Sequence, residues 1–281
     1  MNTAHHIFWG ALGALTLLGS SATMAGLLVT ETIGKVEIEG KGPVNTLAQI
    51  PDNARLKVPA GAKLVVVDLG SGREYVLPGN FTYIAAASGP QTVDGKAVAA
   101  RPLPTRNLPD VKIVTAKVAQ ATLVMRSLPK TNVPVLVSPV RTAVISLMPT
   151  LRWTAVEAAT NYKLTVTQPD GSLVWEVMTR DTEITLTAGQ TLQAGGRYNW
   201  RVEAMGADGR LSDAAARFTV ASAEALTALA LLKPDATATF SRKVLYAAQL
   251  REAGALEDAK LLWQALSREQ PDDPVLASLA E

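Results

Sequence analysis

A few short patterns in the chain combine residue types that do chemistry. Ser127-Leu128-Pro129-Lys130 spells S-x-x-K, which makes a serine nucleophilic only when a helix start sets the lysine one turn away. Pro129 falls inside the motif in a proline-rich stretch, and no S-D-N or K-T-G partner occurs, so the match reads as coincidence. Glu31, Glu37 and Glu39 alternate as if along one strand. Carboxylates sharing a face could exchange protons or hold calcium, but the exposed face of an antiparallel strand accounts for them as well. Asp94-Gly95, Asp170-Gly171 and Asp208-Gly209 lack the D-x-D-x-D-G spacing of a calcium loop and read as turns. His5 and His6 are the only histidines, and there is no cysteine. Beyond residue 25 a histidine-based triad, a cysteine nucleophile and a Cys/His zinc site are therefore excluded. With no phosphate-cradling or dinucleotide-binding glycine motif either, the expectation is no catalytic, cofactor-binding or metal-ligating set.

The elements around these patterns point to an exported chain. No Asp, Glu, Lys or Arg precedes Glu31, Ile7 to Leu18 is apolar, and Thr23 and Ala25 occupy the −3 and −1 positions of a cleavage site. That is the layout of a signal peptide spanning 1–25, cut after Ala25. The amino-terminal end lacks Lys and Arg, and the charge-free run to Thr30 is long enough for an uncleaved inner-membrane anchor. Ser20, Ser21 and Thr23 interrupt that run and favour cleavage. A periplasmic or secreted location follows. Lys and Arg number 27 against 25 Asp and Glu, with aromatics at 5%. No basic run suggests nucleic acid, and no stacking platform for single strands or sugars stands out. Without disulfides, stability must come from packed cores.

Residues 26–98 read as a small all-β domain. Val36 and Ile38 alternate with charges, and Pro59-Ala60-Gly61, Gly70-Ser71-Gly72 and Pro78-Gly79 separate short apolar runs. Asp94-Gly95 suits a type I′ hairpin turn. The V-P-A-G-A-K-L-V-V-V-D-L stretch from Val58 and the G-S-G-R-E-Y-V-L-P-G-N stretch from Gly70 resemble the FecR-type periplasmic domain, through Gly72, Leu77, Pro78 and Gly79. That resemblance implies a place in envelope signalling. Residues 99–132 read as a proline-punctuated linker.

Residues 133–221 carry about seven short strands with turn signals, the pattern of a β-sandwich. Leu192, Tyr198 and the glycines between them form an L-x-x-G-x-x-Y-like phrase, and Tyr198, Trp200 and Val202 point to one side of a strand. With the early Trp153, this resembles a fibronectin type III sandwich, Tyr198 being its corner tyrosine. The resemblance implies that these aromatics are core residues.

Residues 222–281 change to a helical period. One apolar helix ends at Pro234, a second closes at Gly254, a third carries Ala259, Trp263 and Leu266, and Asp273-Pro274 starts another as N-cap and N1. Ala247, Gly254, Ala259, Trp263 and Pro271 stand at spacings that resemble a tetratricopeptide repeat. That implies a protein contact, expected through Ser241, Arg251 and Glu252. The chain is thus expected to be mainly β and multidomain, with a C-terminal α-helical hairpin module. The expected function is non-catalytic, an envelope binding or scaffold protein whose helices meet an envelope protein. The alternatives are a cell-wall or polysaccharide-binding surface protein, or a hydrolase working through carboxylates. No nucleic acid partner and no cofactor is expected, and membrane contact only if the N-terminal segment stays uncleaved.

Overall fold

Glycines and prolines cut the first β module into strands of two to seven residues. The computed structural model describes residues 26–103 and 132–281. Residues 1–25, with the cleavage position after Ala25, lie outside the described residues, as does the Ser127–Lys130 motif. Within the described residues the protein is mainly β, with several antiparallel sheets and helices at the C-terminal side.

The first module contains β1 (Leu27–Ile33), β2 (Glu37–Ile38), β3 (Gly42–Pro43), β4 (Gln49–Ile50), β5 (Arg55–Val58), β6 (Lys63–Asp68), β7 (Arg73–Pro78), β8 (Phe81–Ala86), β9 (Gly89–Thr92) and β10 (Ala100–Pro102). They form two five-stranded sheets, β10-β7-β6-β1-β4 and β3-β2-β5-β8-β9. Leu27, Val29, Leu64, Val66 and Leu77 from one sheet share a buried core with Leu56, Val58 and Tyr83 from the other. Gly79 is required at its corner because a Cβ there would come within 2.2 Å of the Pro59 carbonyl oxygen.

Three expectations for this region change. Residues 99–103 are not linker: Ala100–Pro102 pairs with β7, and the Leu103 N–H donates to the Gly72 carbonyl at 3.0 Å. Glu31, Glu37 and Glu39 do not share one strand, because β1 ends at Ile33 and Gly34 turns the chain with φ +75°. Glu31 is buried and paired with Lys63 Nζ at 2.5 Å, whereas Glu39 lies 3.8 Å from Arg55 at the surface. At Asp94-Gly95 only the glycine has positive φ (+84°), so the turn is not type I′, which requires two such residues.

The second module contains β11 (Leu136–Ser138), β12 (Ala143–Val144), β13 (Thr150–Trp153), β14 (Asn161–Thr167), β15 (Leu173–Thr179), β16 (Glu183–Thr185), β17 (Arg197–Gly206) and β18 (Gly209–Val220). A three-stranded sheet, β11-β13-β16, faces a five-stranded one, β12-β18-β17-β14-β15. The chain changes sheets between β11, which pairs antiparallel with β13, and β12, which runs parallel to β18. Strict alternation along β17 sends Tyr198, Trp200 and Val202 inward. There Trp153 meets Tyr162 edge-on at 5.6 Å, and Tyr198 stacks on Phe218 at 5.6 Å.

The helices are α1 (Ala223–Leu232), α2 (Phe240–Glu252), α3 (Leu256–Glu269) and α4 (Pro274–Ala280). Ser222, Thr239 and Asp273 cap α1, α2 and α4 with side-chain oxygens. Gly254, at φ +77°, lets the chain leave α2 in the left-handed conformation that most residues avoid. Ala247, Ala259, Trp263 and Leu266 are buried between the helices. Leu28, Val67 and Leu103 of the first module belong to that same core. The helices therefore cover the outer face of the β1–β6 sheet, and this explains why β6 is apolar on both faces.

Candidate functional site

The Tyr198 hydroxyl accepts the Gln193 N–H at 2.9 Å, closing a corner beside buried Leu192. Trp153 is 3% exposed and Trp200 1%, and Trp200 Nε1 donates to the Pro139 carbonyl at 2.9 Å. Trp175 is also buried, at 9%, so none of the three can stack on a sugar. Pro271 is exposed in the turn between α3 and α4.

The three predicted partner-contact residues do not form one surface. Arg251 and Glu252 are exposed on the last turn of α2. Ser241 is 1% exposed, and its hydroxyl accepts from Thr30 Oγ1 at 2.8 Å. The expectation for Ser241 is corrected: it docks α2 on β1 inside the molecule, where no partner reaches it.

Ser241 belongs to a set of polar joints holding the helices to both β modules. On the first module, Thr46 Oγ1 donates to Asp273 at 2.5 Å, while Asp273 accepts from the Val275 and Leu276 N–H groups that begin α4. Gln270 Nε2 donates to Glu31 at 3.0 Å. On the second module, the 138–143 segment is fastened from below and from the side. Glu257 accepts from Ser138 Oγ at 2.5 Å and from the Val140 N–H at 3.1 Å. The Ala143 N–H donates to the Gly254 carbonyl at 2.8 Å. α3 begins after Ala255, which has no oxygen with which to cap it. Thr142 supplies that oxygen from the neighbouring module, since its Oγ1 accepts the Leu256 N–H at 3.0 Å and donates to the Gly254 carbonyl at 3.1 Å.

The same segment edges a broad concave surface. It lies over the outward face of the five-stranded sheet, with a volume of about 800 Å³. Its floor is short or small: Thr165 and Thr167 on β14, Asn199 on β17 and Ala215 on β18. Cross-strand register sets Thr167, Asn199 and Arg217 in one row and Thr165, Arg201 and Ala215 in the next. Arg141 stands at the rim, its N–H bonded to the Arg217 carbonyl at 2.8 Å and its backbone at φ +55°. A neighbouring hollow of about 580 Å³ shares Arg141, Asn199 and Arg217, then adds Arg197 and an apolar end at Phe218, Ala253 and Leu256. Arg201 lies 3.8 Å from Asp213. Among the described residues, no carboxylate lies within 4.0 Å of Arg141, Arg197 or Arg217.

Alternation along the strand places Tyr198, Trp200 and Val202 on one side and their neighbours on the other. Arg197, Asn199 and Arg201 must point outward, and a second arginine-bearing strand beside them makes a basic face. Away from this face, burial first and then Asp258 push the Tyr246 hydroxyl up.

No family model matches the chain, and no curated protein matches it. Solved structures align with parts of it. A structure of an FN3tt mutant aligns over 31% of this chain and 91% of that one, at 19% identity and a TM-score of 0.25. CopC from Methylosinus trichosporium OB3b covers 31% of this chain and 92% of its own, at 24% identity and a TM-score of 0.24. PorZ, a surface component of the type-IX secretion system of Porphyromonas gingivalis, aligns over 67% of this chain but only 25% of its own length, at 12% identity and a TM-score of 0.23. Among the described residues, no helix is long and apolar enough to cross a membrane.

Proposed function

We propose that this protein is an exported, non-catalytic scaffold of the bacterial cell envelope, periplasmic or secreted, which holds two β modules in a fixed relation and offers their joined surface to a protein partner. The observation that carries the reading is the set of joints just described. The N-terminus of α3 is capped by Thr142 of the second module, and Asp273, which caps α4, is bonded through its other oxygen to Thr46 of the first. A helical layer built this way sets geometry between modules, which is what a scaffold needs. Export is supported by the first 25 residues and the cleavage pattern ending at Ala25. A non-catalytic role is supported by a chain in which His5 and His6 are the only histidines and cysteine is absent.

The first module is read as FecR-like, on Gly72, Leu77, Pro78 and the close approach that demands Gly79. The second is read as fibronectin type III-like, on its three-against-five sheet arrangement and the Tyr198 corner. The helical hairpin is read as tetratricopeptide-like, on the packing of Ala247 and Ala259 with Trp263. Envelope signalling or complex assembly is the corresponding role.

Site-specific photocrosslinking in intact cells tests this reading. Probes replace Glu252 on α2, Ala215 on the sheet face and, as a control, Glu39 at the far end of the first module. One envelope protein captured from Glu252 or Ala215, and not from Glu39, is the expected result. No capture from any position, together with co-sedimentation with cell wall, would replace the scaffold by a wall-binding protein.

A further inference from the structure

The basic face of the five-stranded sheet has the form of a recognition surface. Surface arginines in folded domains are commonly neutralised by nearby carboxylates, as Arg152, Arg201 and Arg210 are here. Arg141 and Arg217 line both of two adjoining hollows and Arg197 the second of them, and the three lack such partners within 4.0 Å among the described residues. Charge along the strands is sorted. The acidic residues Glu203, which lines the hollow at its end away from Arg217, and Asp213 sit opposite one another on β17 and β18 and are taken up by Arg210 and Arg201. The unpartnered cations gather at the end next to α2 and α3. Arg141 is held there by its backbone bond to Arg217 and by the Glu257 clamp on Ser138 and Val140. The cationic corner is thus fixed by the same joints that hold the modules together.

The shape of the hollow narrows the chemistry of what fits. An anion alone would need only the guanidinium groups. Here the arginines border Thr165, Thr167 and Asn199, short hydrogen-bonding side chains suited to a peptide backbone. The hollow then continues to an apolar end where Leu256 is 51% exposed. Carboxylates pair well with the planar guanidinium fork, and an apolar side chain on the same strand of ligand would cover Leu256.

We infer that the face formed by Arg141, Arg197 and Arg217 docks an extended acidic segment of a protein partner, its carboxylates on the arginines and an apolar residue against Leu256 and Ala253. This rests on the scaffold reading, whose partner it characterises. Binding is salt-dependent because the pairs are exposed, and each contributes modestly.

The experiment uses the full chain and a fluorescein-labelled peptide, Glu-Glu-Leu repeated four times, followed by anisotropy. Gln-Gln-Leu repeats and polyphosphate serve as comparisons. The acidic peptide is expected to bind, to weaken as salt rises, and to lose about tenfold in affinity in R141Q/R217Q, the sum of two exposed pairs. R55Q/R152Q removes the same charge elsewhere and should stay within about twofold. Unchanged thermal midpoints in both variants exclude a folding effect. Equal binding by R141Q/R217Q, equal binding of the glutamine peptide, no binding of the acidic peptide, or tighter binding of polyphosphate each overturns the inference. Capture from Glu252 in the crosslinking experiment is independent of these arginines. If it persists while peptide binding fails, the scaffold reading stands and this inference falls.

Discussion

Thr142 shows how much of the architecture rests on single side chains. A helix leaves its first N–H groups without partners, and the residue before α3, Ala255, has no side-chain oxygen to cap it. The cap comes from a residue 114 positions away in sequence. Thr142→Val keeps the shape and removes the oxygen, leaving the Leu256 N–H only the Gly254 carbonyl at 2.9 Å. We expect a loss of about 1–2 kcal/mol, measurable by urea denaturation. A loss below about 0.3 kcal/mol would mean that the Gly254 carbonyl alone satisfies the Leu256 N–H and that the cap is incidental. The Ser241 error has the same origin. A serine near the start of an amphipathic helix looks like a surface residue, and only the sheet laid over it makes it internal. Residue type sufficed for Tyr198, because its partner Gln193 lies five positions upstream. It failed for Ser241, whose partner Thr30 is 211 positions away.

At the scale of elements, the strands and helices were largely legible because their signals are local. Gly61, Gly72 and Gly79 end or follow strands, while Asp273 and Pro274 open α4 as N-cap and N1. β10 was missed because a three-residue edge strand containing Pro102 has the composition of a linker. The basic face was missed for a different reason. It is a product of register, and three strands must be aligned before Thr165, Asn199, Arg201 and Arg217 become neighbours. β6 carried a further signal, since Leu64-Val65-Val66-Val67 is apolar on both faces and a two-layer sandwich buries only one. Leu28 and Val67 face the helices. A chain ending at residue 221 should therefore expose them, bind a hydrophobic dye and aggregate, whereas the same truncation carrying L28K and V67K should stay soluble and dye-free. A truncated chain that needs no such substitution would show that the helices are not required to cover β1 and β6.

For the molecule as a whole, the distribution of cores predicts how it unfolds. Helices and first module share one apolar cluster, while the sandwich has its own. The link between these two bodies runs through the hydrogen bonds of Glu257, Thr142 and Gly254, with Ile145 of the second module packed against the helix core. Calorimetry of the full chain should show the first module and helices melting together. In E257Q/T142V the sandwich transition should separate from that of the other body, with its own midpoint little changed. A first module that melts apart from the helices would contradict the shared core.

Helices that close over β1 also set a timetable. Thr30 waits for a serine 211 residues further along the chain, and Leu28 and Val67 wait for the same helices. At synthesis rates of roughly 5–20 residues per second, that separation amounts to roughly ten to forty seconds. From the time Pro102 completes the first module its apolar face is uncovered, so the newborn chain depends on chaperones most while its N-terminal sheet is already complete and its last sixty or so residues are not yet made.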